Sequence, residues 1–301
     1  MRSRAIEGGR RTLRELLEVQ DLVVAPGVWD GISAAVAERA GCDAVLSAGW
    51  AIAGALGLPD AELYSKSDNL AAVRVIADTT SAAIVADIDG GYGNAVNVFY
   101  ALRDFERAGA SAVLIEDQVA PKRCNYVVSH VDLNDLSTAT GKVRAAVEAR
   151  QSPDTMVIAR TDAVGDEIFR RAEAYVGAGA EMICPLSTSP EFDAARWQLL
   201  HEKIGAPLMC ALVPGFWQER TFTRQVMKDI GVRLVTCGLH PLYAATAAVE
   251  RCMRRLLAGE EPLAVSEGAM SHEDFSELIG FDEVFELQRR YVPTADEGAA
   301  L

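Results

Sequence analysis

Glu38-Arg39-Ala40-Gly41-Cys42-Asp43-Ala44-Val45-Leu46 carries the end of a helix through one glycine into a buried strand. Glycine takes up the left-handed conformation that closes a helix at no steric cost, and the apolar run behind it suits a strand covered on both faces. The same grammar returns in Glu106-Arg107-Ala108-Gly109 before Ala112-Val113-Leu114, and in Val176-Gly177-Ala178-Gly179 before Met182-Ile183-Cys184. A fourth copy is Lys228-Asp229-Ile230-Gly231 before Leu234-Val235-Thr236. Each is a helix-to-strand junction, so the chain is built from repeated βα units. Strand-like runs number eight, at about 22–25, 44–48, 82–88, 112–116, 156–160, 181–185, 207–212 and 233–237. Helices fill the gaps, among them 13–19, 33–39, 96–108, 141–150, 167–176, 192–203, 222–230 and 244–257. Eight strand–helix units in one chain argue for an α/β fold of the TIM-type (β/α)8 barrel class. A doubly wound open sheet is the alternative, but the first βα turn, Pro26-Gly27-Val28-Trp29-Asp30, lacks the glycine fingerprint of dinucleotide-binding sheets.

The 301 residues, half of them apolar, suffice for one such barrel. A single domain is expected over residues 12–292, opened by the Thr12/Glu15 capping box, with residues 1–11 and 293–301 as flexible ends. Ser271 and Asp274 start one helix and Phe281–Arg290 forms another, so about 270–291 holds more than a barrel requires. The apolar faces of these extra helices need cover, from a neighbouring subunit. A net charge of −14 argues against nucleic acid or an anionic membrane as partner, though not against a small anionic substrate. The six cysteines (42, 124, 184, 210, 237, 252) show neither CxxC nor zinc spacing and read as reduced residues, mostly in the core. The longest apolar stretch, Val45 to Pro59, is too short for a membrane span, and Met1-Arg2-Ser3-Arg4 is followed by no hydrophobic signal segment. A soluble cytoplasmic protein is expected.

In a barrel, chemistry collects past the C-terminal ends of the strands. The third strand runs out in Asp87-Ile88-Asp89-Gly90-Gly91-Tyr92-Gly93. Side chains alternate along a strand, so Asp87 and Asp89 are expected on one side of it. Two hard carboxylates beside glycines suit Mg²⁺, which takes one or two protein carboxylates and keeps its other positions for water and substrate. Alone, so short a motif also reads as a polar strand exit. The other strand ends add to it: Ser47-Ala48-Gly49 as a small-residue turn whose amides can hold a carboxylate, Glu116-Asp117-Gln118, and Arg160-Thr161-Asp162. Arg160 and Glu116 have a purely structural reading as well, an ion-paired belt in the barrel mouth.

Together these stretches resemble the isocitrate lyase/phosphoenolpyruvate mutase superfamily over about residues 12–260. The resemblance rests on Pro26–Asp30, Leu46–Gly49, Asp87–Gly93, Ile115–Gln118, Lys122-Arg123-Cys124 and Ile158–Ala163. Within the superfamily the chain is most similar in look to 2-methylisocitrate lyase-like and carboxyphosphonoenolpyruvate mutase-like members. The resemblance implies Mg²⁺ at Asp87 and Asp89, with Glu116 in its outer shell, and the residues do not distinguish Mg²⁺ from Mn²⁺. It implies a chelating 2-oxo or 2-hydroxy carboxylate gripped by Ser47, Ala48, Gly49 and Arg160, with Trp29, Asp60, Asn125 and Tyr126 as further substrate-binding candidates. It also implies a mobile loop over about Val119–Leu133 whose cysteine, Cys124, works as acid/base beside Lys122, and a tetramer that exchanges a C-terminal helix. Neighbouring cations lower a thiol's pKa, so Lys122 and Arg123 are expected to incline Cys124 toward thiolate.

The chain also departs from that pattern. The lyases' Cys-Gly-His is here Cys124-Asn125-Tyr126, their sixth-strand glutamate is replaced by Leu186 after Pro185, and their seventh-strand asparagine is absent from Cys210-Ala211-Leu212. The metal half of the site is kept and the distal half has become more apolar. The expected activity is therefore Mg²⁺-dependent C–C cleavage, an oxo-acid-lyase type reaction on a small alkylmalate, methylisocitrate-like or oxaloacetate-like compound. The runners-up are a phosphonomutase or phosphonopyruvate-type hydrolase, and a non-catalytic ligand-binding relic. His130, His201, His240 and His272 are scattered and receive no role.

Overall fold

A computed structural model describes residues 9–128, 130–186 and 189–292. The flexible-end expectations for residues 1–8 and 293–301 fall outside them. Eight parallel strands close on themselves in the order β1 to β8: β1 Val23–Val28, β2 Ala44–Ser47, β3 Ala83–Asp87, β4 Ala112–Glu116, β5 Met156–Thr161, β6 Met182–Pro185, β7 Leu208–Ala211 and β8 Val232–Cys237. The ring is sealed by β1 against β8, with Val23 opposite Leu234 and Pro26 opposite Cys237. At that seam Gly27 is required, because a Cβ there would lie 1.9 Å from the Gly238 carbonyl oxygen.

The four junction glycines all adopt positive φ: Gly41 at 79°, Gly109 at 104°, Gly179 at 100° and Gly231 at 81°. The helices, in chain order, are α1 Leu13–Val19, α2 Gly31–Arg39, α3 Gly49–Ala55, α4 Lys66–Thr79, α5 Ala95–Arg107, α6 Leu136–Ala149, α7 Glu167–Gly177 and α8 Ala194–Ile204. They continue with α9 Trp217–Thr221, α10 Arg224–Asp229, α11 His240–Leu257, α12 Pro262–Val265, α13 His272–Ile279 and α14 Phe281–Tyr291. Reciprocal capping boxes start α1, α2, α4 and α5, satisfying amides that have no partner inside the helix. The expected helix 222–230 is two short helices broken at Phe222-Thr223, and the expected helix 141–150 begins five residues earlier, where Asp135 caps it.

Alternation along each strand divides the core in two. Val23, Ala25, Ala44, Leu46, Ala83, Val85, Ala112, Leu114, Met156, Ile158, Met182, Met209 and Leu234 fill the lumen, while Val113, Ile115, Val157, Ile183, Leu208 and Val235 face the helices. Leu13 and Leu16 of α1, both fully buried, join the lumen cluster among the first residues of the strands, so α1 closes the N-terminal end. The Leu13 amide donates to Ser111 Oγ, and Arg233 donates to the carbonyls of Leu17, Gln20 and Asp21, fixing the plug.

Helices α11 and α14 bury none of their residues in this chain, and Leu257, Leu263, Phe281, Phe285 and Tyr291 are exposed. The sequence reading assigns only the 270–291 part of this surface, here the exposed residues of α14, to a neighbouring subunit. Among the described residues no helix is long and apolar enough to cross a membrane. Of the six cysteines only Cys184 and Cys210 are buried, and Cys252 is exposed on α11.

Candidate active site

The inward register that fills the lumen with apolar residues delivers polar ones at its C-terminal end. Counting by twos from Ala83, Ala112 and Met156 brings Asp87, Glu116 and Arg160 to the mouth. A cavity of about 670 Å³, including its open mouth, is lined there by Asp60, Asp87, Lys122 and Arg160 on one side. In ring order Leu114 on β4 lies between Asp87 and Arg160, and Cys184, Leu186, Met209, Ala211 and Val213 come from β6, β7 and the residues that follow them. Ala48 and Gly49 line it too, but Ser47 does not: it follows inward Leu46, so alternation turns it away, and its hydroxyl is buried without a partner. Trp29 packs against the lumen cluster and does not line the cavity either.

Asp87 and Asp89 converge, but not through strand alternation. Strand β3 ends at Asp87, and Asp89 lies beyond it at φ 49°, in the left-handed region that an aspartate tolerates better than most residues. The Asp89 amide donates to Asp87 Oδ1 at 3.1 Å, and the Tyr64 hydroxyl donates to Asp89 Oδ2 at 3.1 Å. Asn69, fully buried, donates its amide to the Asp87 carbonyl at 2.9 Å and to the Tyr92 hydroxyl at 2.7 Å. Lys142 Nζ donates to the Gly90 carbonyl at 2.9 Å and holds the turn from below.

Lys122 places its ammonium 2.9 Å from Asp60 Oδ1 and 2.5 Å from Asp89 Oδ1, with only 4% of its side chain exposed. Burial works against its charge, yet Glu116, Asp89, Asp60 and Asp87 outweigh it and hold the ammonium well above its ordinary pKa. Arg160 Nη1 lies 2.8 Å from Glu116 Oε2, and its Nε and Nη2 each lie 2.9 Å from the Asp162 carboxylate. The ion-paired belt is therefore present, with Asp162 as its third member. Burial nevertheless pushes the Asp87 carboxyl up against the pull of Lys122, and the Glu116 carboxyl up against that of Arg160. Four buried carboxylates (Asp87, Asp89, Glu116, Asp162) and the half-buried Asp60 thus face two cations, and Glu116 Oε1 has no hydrogen-bond partner.

Gly49, the first residue of α3, makes room for this cluster. A Cβ there would sit 2.9 Å from the Tyr64 hydroxyl, 3.1 Å from Asp87 Oδ2 and 3.5 Å from Asp89 Oδ1. Gly49→Ala is expected to displace both carboxylates, lowering divalent-cation affinity about tenfold or more with the thermal transition retained. Titration calorimetry with Mg²⁺ measures it, and unchanged affinity would show that the carboxylates are not set by this contact.

The loop after β4 folds back into the mouth. The Val119 amide donates to Asp132 O at 2.8 Å, Arg123 N to Gln118 Oε1 at 3.0 Å and Lys122 N to Glu62 Oε2 at 2.7 Å. Cys124, Asn125 and Tyr126 consequently line the cavity. The Tyr126 ring meets Phe216 edge-on at 4.9 Å. Asn125 Nδ2 is engaged by Asp162 Oδ1 at 2.6 Å and the Leu186 carbonyl at 3.3 Å. Lys122 turns to the carboxylates and Arg123 lies outside, 59% exposed, so the pull that Lys122 and Arg160 still exert on Cys124 is outweighed. Burial pushes its thiol up, which corrects the expected thiolate.

Residues 13–257 match the family model described as phosphoenolpyruvate phosphomutase. The chain belongs to the phosphoenolpyruvate mutase family. It is 32% identical over 284 residues to 2,3-dimethylmalate lyase of Eubacterium barkeri, covering 93% of this chain and 96% of that one. Its fold matches a phosphoenolpyruvate phosphomutase from Streptomyces platensis subsp. rosaceus at a TM-score of 0.86 and 32% identity, over 93% and 98% of the two chains. It also matches a phosphonopyruvate hydrolase in complex with oxalate and Mg²⁺ at 0.83 and 30% identity, over 97% and 100%. The phosphoenolpyruvate mutase family thus joins lyases to enzymes of P–C chemistry on one barrel.

Among the described residues no three His, Cys, Asp or Glu side chains form a ready chelate. The surplus of buried carboxylate, the free Glu116 Oε1 and the space that Gly49 leaves before Asp87 and Asp89 fit a hard cation taking two protein ligands. Sequence reading missed Trp50, Tyr64, Asn69 and Thr236, and it placed Gln118 and Asp162 at strand ends without giving them a role. Two signals were available for the 64–69 stretch: Ser65 and Asp68 form a capping box, and Asn69 shares a helix face with Leu70, Val73, Ile76 and Ala77.

Proposed function

We propose that this family member is a Mg²⁺-dependent C–C bond lyase acting on a small 2-hydroxy or 2-oxo carboxylate with an apolar substituent, such as a 2-alkylmalate. The observation that carries this reading is the division of the cavity, with charge on the Asp60–Asp87–Lys122–Arg160 side and Leu186, Met209 and Ala211 opposite. Mg²⁺ held by Asp87 and Asp89, with Glu116 in its outer shell, would supply Lewis-acid polarisation of the oxygen beside the scissile bond. Of the five N–H donors of Arg160, two are hydrogen-bonded to Asp162, and Nη1 is ion-paired with Glu116, so donors remain for a substrate carboxylate. Gly49, the first residue of α3, adds at the cavity wall an amide that has no partner within its helix, while the Ala48 amide is taken by the Val28 carbonyl at 3.3 Å. When the bond to C3 breaks, its electron pair stays on C3, and the protonated Cys124 thiol is the acid that delivers a proton there. Meanwhile the 2-hydroxyl gives its proton to the Asp60 carboxylate, which lines the same cavity, and becomes a carbonyl. A third carboxylate, such as methylisocitrate carries and an alkylmalate lacks, would meet Leu186 and Met209 unpaired, which is costly in a buried site.

The test is a panel with Mg²⁺: 2-alkylmalates, oxaloacetate, methylisocitrate and phosphonopyruvate, the last followed by phosphorus NMR. The alkylmalates are expected to release a 2-oxo acid with kcat/KM at least about a hundredfold above methylisocitrate. Turnover of phosphonopyruvate in place of the malates would assign P–C chemistry instead. Metal-dependent oxalate binding without turnover of any member would leave a ligand-binding relic.

A further inference from the structure

We propose that Asp162 is a positioning residue that ties the grip of Arg160 to the docked state of the Lys122–Val128 segment, with Asn125 as the latch. This rests on the reading of Arg160 as the group that holds the substrate carboxylate. One fully buried carboxylate serves both partners: Asp162 Oδ2 accepts from Arg160 Nε, and Oδ1 accepts from Arg160 Nη2 and, at 2.6 Å, from Asn125 Nδ2. The post itself is fixed from behind. Asp117, which points out of the barrel, accepts the Asp162 amide at 3.1 Å, the Thr161 hydroxyl at 2.7 Å and the Tyr175 hydroxyl at 2.7 Å, and pairs with Arg171 at 3.1 Å.

With Asp162 and Arg160 held by the barrel, the movement is assigned to the segment that carries Asn125, which is hinged where Lys122 is anchored by Asp60 and Asp89. With it docked, the Arg160–Asp162 pair is shut off from water and its electrostatic attraction is stronger. With it lifted, Asp162 loses one charge-assisted hydrogen bond and water reaches the guanidinium. Coupling of this kind is reciprocal: a carboxylate ligand that settles on an oriented Arg160 favours docking, and docking favours the ligand. Docking also seats Tyr126 on Phe216 and brings Cys124 to the cavity wall. The same latch would thus deliver the acid only when the substrate carboxylate is held. It takes Asn125 Nδ2 out of direct substrate binding.

The experiment reads binding and protection with oxalate plus Mg²⁺ as probe, so it needs no turnover. Arg123 is exposed and offers trypsin a site beside the latch. In the wild-type chain oxalate is expected to slow cleavage after Arg123. Asn125→Ala should abolish that protection and weaken oxalate about ten- to a hundredfold, with an unchanged thermal midpoint. Asp162→Asn should weaken oxalate at least as much, Asp162→Glu should restore part of the affinity, and Asp162→Asn combined with Asn125→Ala should be no worse than Asp162→Asn alone. The proposal is overturned if Asn125→Ala keeps oxalate affinity within about twofold and keeps the protection, or if the two substitutions act independently. Should Asp162→Asn fail to fold, the loop variant decides by itself. A chain that cleaves no substrate in the panel yet shows this coupling would refute the lyase reading and leave the latch standing.

Discussion

Asp87→Ala is expected to reduce turnover by roughly 10³–10⁴-fold while the barrel stays folded, an effect of the size that loss of a charge-stabilising cation produces. Asp87 ends β3 inside the lumen, and its carboxylate accepts only the Asp89 amide from the protein. It contributes little to holding the strands together. Burial raises its pKa in the folded chain, so any stability it lends belongs to the protonated form, is complete below the unfolded pKa and is lost as pH rises through the folded value. At neutral pH the alanine variant therefore forfeits nothing on this account, and its thermal midpoint should equal or exceed that of the wild type. Calorimetric loss of Mg²⁺ binding beside an intact melting transition would complete the result. Full turnover in the variant would remove the cation from the mechanism.

Cys124→Ser should slow C–C cleavage by about 10²–10⁴-fold without weakening oxalate, since the lost group moves a proton and does not grip the carboxylate. The direction of its pKa shift sharpens the test. Burial holds the thiol protonated through the neutral range, so an acid role predicts a rate limb that is flat there and falls only as alkaline pH strips the proton. A thiolate base would instead give a rate that climbs toward neutral pH. Alkylation by iodoacetamide at pH 8 should likewise be slower at Cys124 than at a free thiol. Unchanged kinetics in the serine variant would make Cys124 a bystander.

The fold was legible because each junction repeats a local necessity: a helix that must stop, a glycine that permits it, and a strand apolar on both faces. Gly41, Gly109, Gly179 and Gly231 needed no tertiary information to be placed. Asp87, Glu116 and Arg160 were legible as strand ends, since period-two alternation from an apolar lumen sends them to the mouth. Other parts depended on contacts far apart in sequence. Whether Lys122 lies in solvent or among Asp60 and Asp89 is settled by how the loop folds back, and that choice reversed the inference about Cys124. Asp117 looked like one more acid of the Glu116-Asp117-Gln118 run, but the odd register turns it outward to Arg171 and Tyr175, more than fifty residues away. Asn125 read as a substrate ligand because neither Asp162 nor the Leu186 carbonyl is near it in the chain.

Helix α1, with Leu13 and Leu16 wedged among the strand beginnings, closes the N-terminal end of the lumen, so the cavity opens at the other end, where Tyr126 lines it. Whatever enters past Tyr126 has to go back the way it came. For a reaction that splits one molecule into two, departure is then sequential: the piece nearer the doorway leaves first, and the piece lodged against Asp87 and Arg160 waits behind it.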